Sequence, residues 1–212
     1  AISAGGSNIL GLKRDGTIVS TGNNSYGQNN FKSMEDIIAV SASGTHTVGL
    51  TAEGTVISVG SNFKGETNVS DWKDIVSVTA WDSSTVGVKE DGTIAVAGDN
   101  FVGTTKEDIM GWTNITSVAM STGGSHTVGL KKDGTVVGVG NNYVGQINVG
   151  EWKDIQSIAA GSDFTIGLKK DGTVIGTGNK NINVSDWKDI VAITADFGTA
   201  VPTIPLRQEP LP

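Results

Sequence analysis

The amino-acid sequence predicts an all-β fold, a β-propeller of about five four-stranded blades built from repeats of ~38–42 residues. Three observations carry that expectation. One turn recurs in register, as Asp15-Gly16-Thr17, Glu53-Gly54-Thr55, Asp91-Gly92-Thr93, Asp133-Gly134-Thr135 and Asp171-Gly172-Thr173, in steps of 38, 38, 42 and 38 residues. The runs around it are short, rich in Val, Ile and Thr and bounded by Gly, Asn and Asp, which is how strands read. Thirty glycines against four prolines suit many tight turns, and no long run has a helical period. The best helix candidate is the short stretch Lys106 to Met110.

The clearest copy of the unit runs from Thr127 to Ile155, and every copy has four pieces. The first piece is a run such as Asp74 to Ala80, with relatives at Asp36–Ala42, Asn114–Met120, Asp154–Ala160 and Asp189–Ala195. The second is Thr47-Val48-Gly49-Leu50 and its equivalents, ending at a turn whose Asp-Gly pair suits the positive φ angles of a tight hairpin. The third follows the turn and stops at a glycine, as in Thr135–Gly140. The fourth, expected as a short polar strand, is typified by Gln146-Ile147-Asn148-Val149. One such unit cannot offset the entropy of ordering its own backbone, so neighbouring units must bury each other's faces. A ring arrangement also protects the sheet edges that a straight stack would expose.

Trp72, Trp112, Trp152 and Trp187, with Met34 in the corresponding place, sit at one register and read as anchors between blades. Gly11, Gly49, Gly87, Gly129 and Gly167 recur inside a strand, where a close backbone approach is the expected reason. The ends are irregular. Ala1 to Ala4 matches a first strand without its lead-in, which reads as an excised or processed domain. Ala192 to Ala195 is a sixth first strand, and Gly198 to Val201 begins a sixth second strand that stops at Pro202. The expected organisation is one propeller domain over residues 1–201 and an extended tail over 202–212.

The string Ser41-Ala42-Ser43-Gly44-Thr45-His46-Thr47-Val48-Gly49-Leu50, the turn Glu53-Gly54-Thr55, and Gly140-Asn141-Asn142-Tyr143-Val144-Gly145-Gln146 resemble the bacterial form of the regulator-of-chromosome-condensation repeat. The resemblance spans residues 1 to about 201 and implies a β-propeller. It also implies a choice of roles, since family members include exchange factors for small GTPases, surface-protein modules and a secreted inhibitor of β-lactamase. The inhibitor's aromatic positions correspond here to Ser7, Thr45, Ser83, Ser125 and Asp163, which are small or polar, so inhibition is disfavoured. A WD-repeat propeller fits the period, but Asp71-Trp72 and Asp186-Trp187 reverse its signature order.

Net charge is −7, and Lys and Arg form no cluster beyond pairs in the turns, which excludes a nucleic-acid partner. No apolar run approaches a membrane span, so no membrane insertion is expected. Cysteine is absent, removing disulfides and thiolate chemistry. His46 and His126 share one position, but no carboxylate recurs beside them as a metal site would require. The turn acids supply one oxygen each, too few for calcium, and no nucleophile elbow marks a serine triad. The chain therefore reads as a non-enzyme with no cofactor and no metal.

Two loop series are candidate binding surfaces. One holds Tyr26, Phe63, Phe101 and Tyr143, an aromatic per unit among Asn and Gly. The other lies between first and second strands and holds Trp81, Asp82, His46, His126, Asp163 and Phe164. The sequence-based expectation is a non-catalytic module of a secreted or cell-surface bacterial protein, contacting a protein or carbohydrate through one rim. The alternative is an assembly unit that self-associates through its unmatched terminal strands.

Overall fold

In four of the hairpins the aspartate before the glycine closes the turn, and in the second, where Glu53 stands there, the Thr51 and Thr55 hydroxyls bond to each other instead. In the fourth copy Asp133 Oδ1 accepts from the Thr135 N–H at 2.9 Å and from its hydroxyl at 2.7 Å. Lys131 N donates to Thr135 O, and Gly134 N donates back to Lys131 O. Only the glycine has a left-handed backbone, with φ of 82°. The Asp-Gly pair therefore does not form the two-residue turn with two positive φ angles. It closes a longer loop, a type I turn followed by a left-handed glycine. The same carboxylate bonds recur at Asp15, Asp91 and Asp171, so the turn acids serve geometry.

The computed structural model describes residues 1–99, 106–121, 123, 125–179, 182–196 and 199–203. These form two compact units, residues 1–118 and 119–212. The first unit contains three antiparallel three-stranded sheets: β1 (Ile2–Gly5), β2 (Asn8–Leu12), β3 (Ile18–Gly22); β4 (Ile37–Ala42), β5 (His46–Thr51), β6 (Val56–Gly60); and β7 (Ile75–Trp81), β8 (Ser84–Lys89), β9 (Ile94–Gly98). Then come α1 (Lys106–Met110), at the place expected, and β10 (Ile115–Met120), within which the division between the units falls. The fourth sheet is completed by β11 (His126–Lys131) and β12 (Val136–Gly140). The fifth is β13 (Ile155–Ala160), β14 (Phe164–Lys169) and β15 (Val174–Gly178). The sixth is a two-stranded hairpin, β16 (Ala192–Asp196) and β17 (Thr199–Thr203). The sixth first strand thus pairs with its own second strand. That second strand continues past Val201, with Pro202 opposite Ile193, on an edge where proline is tolerated. Residues 204–212 of the expected tail, and Gly198, lie outside the described residues.

The fourth piece of each unit is not a strand, which corrects the four-stranded expectation to three strands per sheet among the described residues. Its backbone donors are spent locally. In the fourth copy Ile147 N donates to Asn142 Oδ1, Asn148 N to Gly145 O and Val149 N to Ile147 O. Asn142 Nδ2 also donates to Asn148 Oδ1 at 3.0 Å, pinning the loop shut. Local bonds of this kind compete with a ladder and favour turns.

Successive sheets within each unit pack through the lead-in to the next sheet. The chain enters each first strand through a left-handed Asp or Asn: Asp36, Asp74, Asn114, Asp154 and Asp189 all have φ between 54° and 59°. These residue types tolerate that region best after glycine. The next residue then donates its N–H to the preceding turn glycine, as Ile75 does to Gly54 O and Ile155 to Gly134 O. Just before it, Trp72 joins Val48, Leu50, Val56, Val69 and Ile75 in one apolar cluster, with Val78 and Ala95 of the following sheet. Trp152 does the same with Val128, Leu130, Val136, Val149 and Ile155, against Ile158 and Ile175. Trp187 packs with Phe164, Ile166, Leu168 and Ile193. The tryptophans are inter-sheet anchors.

Four of the recurring strand glycines face side chains rather than a close backbone: a tryptophan ring at Gly87 and Gly167, Ile37 at Gly49 and Val19 at Gly11. A Cβ at Gly87 would lie 2.7 Å from Trp72 Cζ3, and one at Gly167 would lie 2.8 Å from Trp152 Cζ3. Gly87→Ala and Gly167→Ala are each expected to cost about 1–3 kcal/mol by overpacking, read as a lowered urea midpoint. Gly150→Ala, where a Cβ meets nothing within 4 Å, serves as the control and leaves the midpoint in place.

Candidate functional site

The second strands β5, β11 and β14 are the middle strands of their sheets and are buried on both faces, Thr47 as fully as Val48. His46, at the start of β5, is fully buried, and His126 and Phe164 occupy the same place and are equally buried. These three therefore leave the candidate binding set. The strand's period gives no warning of this, because residues of either parity are covered.

His46 Nε2 lies 2.9 Å from Thr85 Oγ1, and that hydroxyl donates to Glu66 O at 2.7 Å. With the Thr85 proton committed there, Nε2 must be the donor, which leaves Nδ1 to accept from Ser43 Oγ at 2.8 Å. His126 repeats the arrangement with Thr165 Oγ1 at 2.9 Å, which donates to Gln146 O at 2.7 Å. Both rings are held neutral by burial, with their pKa values lowered to about 4. The relays join one sheet to the next within each unit. At the equivalent place Thr47 has a buried hydroxyl with no partner, because Asn8 stands where the histidine would be.

Glu66 is a buried carboxylate where other copies carry Gln28 and Gln146. Burial pushes its pKa up, but bonds from Ser61 Oγ and the N–H groups of Glu66 and Lys64 outweigh that and hold it below the usual value. It fastens the Asn-rich loop to itself. Among the described residues no three His, Cys, Asp or Glu side chains converge as a metal site would need.

The rest of the strand-tip series is exposed to different degrees. Asp82 is exposed with a left-handed φ of 44°, and Trp81 beside it is half-buried. Thr45 Oγ1 donates to Asp82 O and Ser125 Oγ to Ser162 O, tying each tip to the next. Asp163, half-buried, accepts from Asn179 Nδ2 at 2.6 Å. The Asp82 carbonyl and the Asp163 carboxylate are thus engaged by the fold, while the Asp82 side chain stands exposed at its tip.

The Asn-rich loops are different. Phe63 is 83% exposed and Tyr143 94% exposed, with Tyr26 half-exposed. Tyr26 and Phe63 meet edge to face, with ring centroids 6.2 Å apart at 88°. Beside Tyr143 lies a recess of about 510 Å³ walled by Val144, Gly178 and Asn179. The loop amides are engaged internally, Asn62 Nδ2 with Asn68 Oδ1 and Asn24 Nδ2 with Asn30 Oδ1. The fourth aromatic of the series, Phe101, lies outside the described residues.

The histidine relays set a pH dependence. Each imidazole has a folded pKa of about 4 against 6.5 unfolded, so between those values the unfolded chain binds more protons. The stability they allow is intact above pH 6.5 and is lost as pH falls toward 4, by on the order of 3 kcal/mol for each ring. The thermal midpoint is expected to fall across that window. His46→Asn with His126→Asn, copying Asn8, is expected to flatten the slope while lowering the midpoint at neutral pH.

A model of the regulator of chromosome condensation (RCC1) repeat matches residues 1–28, 37–66, 115–146 and 155–182, together more than half of the chain. The CRINKLY WD40 ectodomain of the Arabidopsis thaliana receptor kinase ACR4 is similar, at TM-score 0.73 and 17% identity over 96% of this chain and 74% of that one. Human WBSCR16 gives TM-score 0.73 and 17% identity, covering 97% of this chain and 71% of its own. Prp20p of Saccharomyces cerevisiae, described with its binding to Gsp1p and histones, gives 0.70 and 17% over 96% and 69%. No curated protein sequence matches. The repeated sheets and the matched repeats agree: the fold is a β-propeller, and the chain belongs to the regulator of chromosome condensation repeat family.

Proposed function

We propose that this chain is a non-catalytic protein-binding module whose contact surface is built on the Asn-rich loops around Tyr26 and Phe63, with the loop around Tyr143 a separate surface of the same kind in the second unit. The observation that carries the reading is an exposed aromatic ring on each of these loops, Phe63 and Tyr143 at one place in the repeat and Tyr26 one residue later, on loops stiffened by their own amides. Preorganised aromatic side chains are the groups that dominate protein interfaces, since they bury large area at small entropic cost. Carbohydrate is the weaker reading, because the amides beside the rings are already bonded to one another and offer a sugar few free donors. Protein binding by Prp20p, a fold neighbour, supports the same choice. A secreted or cell-surface bacterial setting belongs to the proposal and rests on the resemblance of the repeat.

The test is capture from bacterial and host surface extracts by the immobilised chain, quantified by mass spectrometry. Tyr26→Ala combined with Phe63→Ala is expected to reduce capture of the specific partner at least tenfold with the melting midpoint unchanged. Capture that survives this change, and Tyr143→Ala as well, overturns the assignment of the surface. Binding on a glycan array that the same variants abolish would turn the reading to carbohydrate.

A further inference from the structure

Resting on the reading of the Asn-rich loops as a contact surface, we infer that His46 is a proton-operated latch on the loop that carries Phe63: the neutral ring holds residues 61–68 against the third sheet, and a proton on the ring lets them open. His46 is wholly buried at the start of β5. Ser43 Oγ donates to its Nδ1 at 2.8 Å, and its Nε2 donates to Thr85 Oγ1 of β8 at 2.9 Å. Thr85 gives its own proton to Glu66 O at 2.7 Å. Two bonds therefore connect the imidazole to the loop backbone, three residues after Phe63. Among the described residues the charged group that faces the ring is the Glu66 carboxylate of the same loop, and the Asp82 carbonyl of the next tip also lies toward it. Both favour a proton on the ring, and burial outweighs them.

A cation at this place is poorly served. Both ring nitrogens then donate, but Nδ1 meets a hydroxyl oxygen that already accepts from the Thr45 and His46 N–H groups. A buried charge without enough partners has to reach water, and water reaches this ring only when one of its covers moves. Thr85 stands in the middle strand of its sheet, and Ser43 is tied to β5 by its N–H bond to His46 O. The loop has no ladder, so it is the cover that yields. The first loop supplies the contrast. Tyr26 N donates to Gln28 Oε1 and Asn29 N to Asn24 Oδ1, as Lys64 N does to Glu66 Oε2 and Thr67 N to Asn62 Oδ1. At its joint, however, Asn8 replaces the histidine and the Thr47 hydroxyl donates to no loop carbonyl. Two loops of one design thus differ in whether an ionisable group closes the joint.

The test is amide hydrogen exchange in the full chain, followed by NMR and corrected for the intrinsic effect of pH on exchange. A hydrated ring has the ordinary pKa of 6.5 and the enclosed ring one of about 4, so the open loop binds more protons and is favoured as pH falls between those values. The opening constant at Lys64 N, Thr67 N and Asn68 N is expected to rise about thirtyfold from about pH 7.5 to about pH 5. Tyr26 N, Asn29 N and Asn30 N of the first loop are expected to stay constant. His46→Asn, copying Asn8, is expected to remove the rise, and Glu66→Gln, copying Gln28, to keep it. Should His46→Asn misfold, His46→Phe, copying Phe164, takes its place. No rise, a rise shared equally by the first loop, a rise that survives loss of His46, or one abolished by Glu66→Gln overturns the latch. The measurement needs no partner, so its failure leaves the contact surface to be decided by capture, and a failed capture leaves the latch to be decided by exchange.

Discussion

An indole lying on a glycine is the contact on which the packing at two of the joints between sheets depends. The strand glycine weakens its own sheet, having no side chain to pair across the ladder. It is kept because a Cβ at Gly87 or Gly167 would occupy the place of the tryptophan ring. The ring in turn sits between an apolar residue three before it and an isoleucine three after, and both belong to the core of the sheet behind. One residue thus bridges two sheets that are too small to be stable alone. The left-handed Asp or Asn that follows aims the chain so that the isoleucine N–H reaches the previous turn glycine. Backbone and side chain lock the same joint.

Polar groups divide by place. Those inside serve the joint: His46 and His126 fit because Thr85 and Thr165 pass their hydroxyl protons on to loop carbonyls, which fixes the neutral tautomer. A buried imidazole without such a path would face an unmet donor, and the idle Thr47 hydroxyl shows what remains when the partner is missing. Those at the Asn-rich loops serve rigidity, with amides bonded to backbone and to each other. That leaves the aromatic rings as the unspent groups of these loops. A rigid loop with an unspent ring is poised to bind at small entropic cost.

Much of this was legible in the sequence, and the failures have physical causes. The turn register, the tryptophan spacing and the short helix at Lys106–Met110 are all local or periodic, and all are found where the sequence places them. The apolar alternation of the fourth piece, Ile147 and Val149, looks like a strand, while what dismantles it stands outside that pattern: the Asn142 amide that takes the Ile147 N–H and the tight turns that take the next two. The hairpins misled in detail because Asp-Gly is shared by two turn types, and only the Asp-to-Thr bonds distinguish them. His46, His126 and Phe164 were placed at a loop tip by counting from the turn. The period of two does not separate them, because both faces of these middle strands are buried. The exposed rings were legible as a series, but their exposure depends on the loop folding back on itself.

The first sheet shows how one frame accommodates different side chains. In the third and fifth sheets the glycine face carries the Trp72 and Trp152 rings. In the first sheet Ile2, Ile9 and Val19 of the corresponding face are exposed. Ile9 stands where Thr85 and Thr165 stand, so this copy lacks the hydroxyl that would need a partner under a cover. The polar relay that seals the joints at His46 and His126 therefore depends on the threonine as much as on the histidine, and a copy without the threonine cannot form it.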